Sequence, residues 1–127
     1  MVKADLHNHL RTSEMVLDGD LYRAVRVASK KLGKGAVVGI ANNKYDWRYE
    51  RLLCLEGPHW EFVEKDGSVV HFPEEEVYFV KGHEVKTNQG NLLVLGLPRG
   101  VQLAYGKSLE DTIISAQEEG GIIVGSN

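Results

Sequence analysis

Two histidines one residue apart, His7 and His9 in the segment ADLHNHL (residues 4–10), are the first side chains in this sequence whose spacing could do chemistry. On a β-strand successive side chains alternate, so His7 and His9 share one face while Leu6, Asn8 and Leu10 take the other. Imidazole is the commonest protein ligand for divalent transition metals, and a pair held on a strand needs only one or two further donors to close a site. A solvated strand end gives the same short pattern, so a further donor has to be sought.

KGHEVKTNQGNLLVLGLP (residues 81–98) offers one. Glu84 falls late in a strand, after Gly82, whose missing side chain leaves room beside a ligand. His83 and Glu84 must point to opposite faces. If Glu84 faces the site it supplies a carboxylate able to bridge two ions, and His83 is left to packing or to the rim.

These residues must be positioned by the rest of a 127-residue chain, which predicts one domain with a real core, shorter than most complete α/β barrels. Lys and Arg number 15 against 18 Asp and Glu, a net charge of -3, with no run of like charge resembling a nucleic-acid patch or an acidic tail. No nucleic-acid partner is indicated. A single cysteine, Cys54, excludes an intramolecular disulfide framework and a cysteine-based zinc cluster; it is read as packing, and a reducing cytoplasm is expected. No signal pattern opens the chain and no apolar run approaches the roughly 18 residues of a membrane span, so no membrane partner is expected.

A first strand is predicted over about 2–8. In DGDLYRAVRVASKKLG, Leu21, Ala24, Val25, Ala28 and Leu32 recur at helical spacing, with Asp20 as N-cap and Gly33 as the stop. GAVVGIA (35–41) reads as a strand covered on both faces. Trp47, Leu52 and Leu53 anchor a short helix. HWEFVEKDGSVVHFP reads as a hairpin about Asp66 and Gly67, inserted into the sheet, with His59 and His71 at its ends read as surface residues able to pair across strands. VYFVKGHEV (77–85) and NLLVLGL (91–97) are strands separated by the turn KTNQG. Ser108 and Asp111 resemble a capping box for a helix through Leu109, Ile113 and Ala116 that stops at Gly120 and Gly121, and GIIVGSN is one more buried strand. This order predicts an α/β protein with a mostly parallel sheet, whose chemistry gathers at the carboxyl ends of the strands.

DLHNH at 5–9 and GHE at 82–84 resemble the opening D-x-H-x-H strand and the later G-x-E strand of the PHP (polymerase and histidinol phosphatase) superfamily. The intervening helix and buried strand are similar too, and the resemblance spans nearly the whole chain while covering roughly the first half of such a domain. It implies a single truncated PHP-like domain over 1–127, a partial (β/α)7-type, TIM-like barrel with an inserted β-hairpin. It also implies a cluster of zinc, manganese or iron ions held by His7 and His9 as terminal ligands, Glu84 as a bridge and Asp18, in LDG, as a further ligand. The activity implied is metal-dependent hydrolysis of a small phosphorylated substrate, a phosphoesterase reaction in which the ions activate water.

The departures from that family reduce the expected number of ions. GIANNKYD puts Ala41 and Asn42 near the places of two polar residues, one a ligand, and IIVGSN puts Gly125, Ser126 and Asn127 where an alanine-histidine-proline sequence is usual. Three ligands, or four with Asp18, hold one ion with an open position, not a full cluster. The alternative is a non-catalytic binding or regulatory module on a degenerate scaffold. An amidohydrolase, which also opens with His-x-His on a barrel strand, is a third reading that the glycine-glutamate strand disfavours. An unclosed edge strand predicts association into a homo-oligomer.

Overall fold

The computed structural model describes residues 4–8, 21–43, 47–55 and 57–126. Seven strands and three helices are described: β1 (Ala4–Asn8), α1 (Leu21–Leu32), β2 (Ala36–Asn42), α2 (Arg48–Leu53), β3 (Glu61–Phe62), β4 (Val69–Phe72), β5 (Val77–Thr87), β6 (Gly90–Leu95), α3 (Leu109–Glu118) and β7 (Ile122–Ser126).

β5 organises the sheet. Along one edge it pairs in parallel with β2, from Ala36 opposite Val77 to Asn42 opposite His83, and β2 in turn pairs in parallel with β1. The other edge is shared by two strands in succession, both antiparallel: β4 against Val77–Val80 and β6 against Gly82–Thr87. Lys81 marks the change of partner, its N–H donating to Ser68 O at 2.9 Å and its carbonyl accepting from Gly96 N at 2.8 Å. β3 continues outward from β4 and β7 from β6, again antiparallel.

The expected partial (β/α)7, TIM-like barrel with a mostly parallel sheet is therefore corrected. Two strand pairings are parallel and four antiparallel, and the sheet curls into a half-barrel carrying few helices. The cause lies in connection length. A parallel pair needs a crossover of a dozen or more residues, whereas four residues join β4 to β5 and two join β5 to β6, which permits hairpins alone. The hairpin read as an insertion is part of the sheet itself, because β4 pairs with β5. Its turn is also longer than a two-residue one: Gly67 donates to Glu64 O at 3.1 Å with φ of 74°, and the Asp66 carboxylate accepts from Ser68 N.

Local signals settle the helices. Gly33 (φ 85°) ends α1, its N–H bonding Ser29 O at 2.8 Å. Ser108 caps α3 by accepting from Asp111 N at 3.1 Å. At the far end Gly120 N bonds Gln117 O and Gly121 N bonds Ala116 O, the paired bonds of a Schellman stop.

Two apolar clusters form the core. The larger joins Leu21 and Val25 of α1 and Tyr49, Leu52 and Leu53 of α2 to Val38, Ile40, Phe72 and Phe79 of the sheet; the smaller sets Ala116 of α3 against Val85, Leu92 and Val94. By strand alternation Phe79 and Val85 project to the same side of β5, so the described helices cover one face of the sheet. β7 departs from its expected burial: Ile122 and Val124 are exposed. Cys54, read as packing, is exposed beyond the end of α2. No helix among the described residues is long and apolar enough to cross a membrane.

Candidate functional site

Four consecutive residues of β5, Lys81-Gly82-His83-Glu84, divide between the two faces of the sheet. Lys81 and His83 alternate with Phe79 and Val85 and are fully buried on the helix side. Gly82 and Glu84 take the opposite side.

On the helix side Lys81 is saturated. Its ammonium meets Glu50 Oε2 at 2.5 Å and donates to Pro98 O at 3.1 Å and Val101 O at 2.6 Å, with the Trp47 ring 5.6 Å away. Glu50 Oε2 also accepts from Gly100 N at 2.9 Å, and its Oε1 from Asn42 Nδ2 at 2.9 Å. Burial by itself would raise the Glu50 pKa, but these hydrogen bonds, that from Lys81 foremost, hold it below the usual carboxylate value. Burial lowers the Lys81 pKa, and Glu50 opposes that shift.

Asn42 belongs to this network. Its Oδ1 accepts from Tyr49 N at 2.9 Å, satisfying an otherwise orphaned donor in the first turn of α2, so both ends of its amide are engaged. Tyr49 extends the network by donating to Gly67 O at 2.9 Å. Burial, with help from Glu50 and Asp66, pushes its pKa up.

His83 accepts from Leu103 N at Nδ1, 3.3 Å away, which leaves its proton on Nε2. Among the described residues that buried Nε2 has no hydrogen-bond partner. Burial pushes the ring down to about 4, the nearby Lys81 charge adding to the shift and Glu50 opposing it. His83 is thus a neutral core residue beside Tyr105, as the packing alternative for it expects.

Glu84 stands half-buried on the other face, opposite Leu93 of β6. Its Oε1 accepts from Asn91 Nδ2 at 3.0 Å, and its carbonyl accepts from the Tyr105 hydroxyl at 2.5 Å. The space left by Gly82 is taken by protein: a Cβ there would lie 3.0 Å from Leu95 Cδ2 and 3.4 Å from Ile40 O, so this glycine admits β6 and not a ligand.

Of the other expected ligands, His7 is placed by its backbone in β1, while His9 and Asp18 lie outside the described residues. Among the described residues no three His, Cys, Asp or Glu side chains form a group able to hold a metal ion. Ser126 lies in β7 opposite Leu92. His59 and His71 do not pair: His71 stands opposite Glu61, with 4.0 Å between its Nδ1 and Glu61 Oε1, and stacks on Tyr78. The Lys81–Glu50–Asn42 network escaped the sequence reading, although a lysine at an inward position of VYFVKGHEV was its visible signal.

No protein-family model, curated protein or solved structure matches the chain.

Proposed function

We propose that this protein is a metal-dependent hydrolase of the phosphoesterase type, with its site at the end of β1 and where β5 passes the end of β2. The observation that carries this reading is the parallel trio β1-β2-β5. It sets β1 and β5 parallel on either side of β2, so that Asp5–Asn8 of the first motif and Gly82–Glu84 of the second run toward the same end of the sheet, with about 10 Å between the outer backbones at ordinary strand spacing. His7 and His9 would act as terminal ligands, Glu84 as a bridge and Asp18 as a further donor. Two imidazoles and two carboxylates suit zinc, manganese or iron, and a hydrogen-bonded carboxylate on the face away from the helices fits that use. The ion would supply Lewis-acid activation of water and charge neutralisation on a small phosphate ester. The chain's own part is to hold the donors: the buried Glu50 network fixes the end of β2 between the two ligand strands.

A second reading, a non-catalytic binding or regulatory module, draws on Asn42 and His83. Both face the helices, which leaves fewer donors than a full cluster needs. In either case the single cysteine favours a reducing cytoplasm, and exposed Ile122 and Val124 favour self-association, which sedimentation would read.

Metal content per chain after dialysis against zinc or manganese tests the proposal, together with hydrolysis of p-nitrophenyl phosphate. Stoichiometric metal, lost in the His7→Ala, His9→Ala variant and accompanied by turnover, is the expected result. Metal without turnover favours the binding module. No metal in either protein overturns the phosphoesterase reading and leaves the non-catalytic module.

A further inference from the structure

We infer that the outer face of α1 is a docking surface for the outer face of α3 on a second copy of this chain, so that two copies associate through their helix layers. Arg23, Arg26, Lys30 and Lys31 are exposed on α1, which contains no acidic residue. Glu110, Asp111 and Glu118 are exposed on α3, with Glu119 at its end, and α3 contains no basic residue. At 3.6 residues per turn, Arg23, Arg26 and Lys30 share the side of α1 opposite buried Leu21 and Val25, as Asp111, Ile114 and Glu118 share the side of α3 opposite buried Ala116. Exposed apolar side chains lie among both sets, Tyr22 and Val27 on α1 and Ile114 on α3.

The helices' own needs explain only part of this pattern. Lys30 and Lys31 in the last turn of α1, and Glu110 and Asp111 in the first turn of α3, complement the helix dipole. Arg23 in the first turn of α1 and Glu118 and Glu119 at the end of α3 oppose it. Lys34, beyond α1, pairs with Glu76, whereas the four cations of α1 and the four acids of α3 have no ion-pair partner among the described residues. The chain thus presents both halves of a complementary surface, which makes a second copy the fitting occupant. Because the described helices cover one face of the sheet, both patches point away from it on the same side. A two-fold axis between two such layers sets α1 of each copy against α3 of the other and closes a dimer.

Sedimentation equilibrium of the full chain tests this, with chelator present throughout so that the metal reading stands or falls separately. Between about 0.1 M and 1 M sodium chloride the screening length falls from roughly 10 Å to 3 Å, and the dissociation constant of the dimer is expected to rise on the order of tenfold or more. Two reversals then identify the faces: Arg23→Glu, Arg26→Glu, Lys30→Glu on α1, and Glu110→Lys, Glu118→Lys, Glu119→Lys on α3. Each variant alone is expected to sediment as a monomer, because like charges now meet. Their equimolar mixture is expected to dimerise again, since the two reversed faces attract and the two unreversed faces meet as before. Single changes, Arg23→Glu and Glu118→Lys, replace a triple reversal that circular dichroism shows to be unfolded. A wild type that is monomeric at low salt overturns the inference; if it is also retained on heparin while the α1 reversal is not, the cations serve an external polyanion instead. A dimer that survives salt and both reversals, or a mixture that stays monomeric, overturns it as well, and loss of the surviving dimer in Val124→Lys would place the contact on β7.

Discussion

The two faces of β5 at residues 81–84 differ in how their polar groups are satisfied. On the helix side, a buried ion pair at 2.5 Å, an asparagine with both ends of its amide engaged and three backbone groups close around Lys81. On the other side, the half-buried Glu84 carboxylate accepts from the Asn91 amide, next to a glycine whose side-chain space is taken by Leu95. Residues of similar chemistry, one apart in sequence, thus serve stability on one face and are candidates for ligand binding on the other. Burial decides between the two uses: a charge sealed among apolar side chains must be paired, while a partly exposed one can exchange partners.

The largest expected effect follows from breaking the helix-side pair. Lys81→Met leaves Glu50 ionised and buried without its counter-charge, a loss of about 3–5 kcal/mol, and the Lys81→Met, Glu50→Gln double variant should regain much of it. Urea unfolding would measure both. A single variant as stable as the wild type would show that the pair is not the anchor of this face.

His83 gives the next effect, readable in metal-free protein with chelator present. Its ring is neutral in the folded chain down to about pH 4, whereas in the unfolded chain it takes up a proton near 6.5. Stability is therefore whole above pH 6.5 and declines as the pH falls from 6.5 to about 4. The loss is roughly 3 kcal/mol at about 1.4 kcal/mol per pH unit. His83→Leu should flatten the urea midpoint across that window; an unchanged slope would assign the acid sensitivity to other groups.

The smallest effect probes the opposite face. Gly82→Ala brings a Cβ to 3.0 Å from the movable end of Leu95, a cost of about 1 kcal/mol. A variant that keeps its stability yet loses metal would return this glycine to the ligand-room role first read for it.

Much of the local structure was legible. The stops at Gly33 and Gly120-Gly121 and the Ser108 cap are set by hydrogen bonds within a few residues, so residue types at fixed offsets reveal them. The barrel reading failed because VYFVKGHEV and NLLVLGL are apolar enough for either kind of sheet. The short KTNQG turn, which forces a hairpin, carried the decisive information. In the site, alternation correctly separated His83 from Glu84. The structural role of Asn42 was not legible, because its partners, Tyr49 and Glu50, lie across a loop whose path no local pattern fixes.

The sequence by itself determined the helices, the Ser108 cap and the glycine stops, the apolar strands and the division of Lys81-Gly82-His83-Glu84 into two alternating sets, because 3.6- and 2-residue periods and capping bonds are local properties. Only the tertiary structure decided that β5 shares one edge between β4 and β6 and that Lys81 and His83, not Glu84, lie under the helices. Alternation fixes which residues share a face. Which face is covered depends on where α1 and α2 pack, and that depends on apolar contacts between residues distant in the chain.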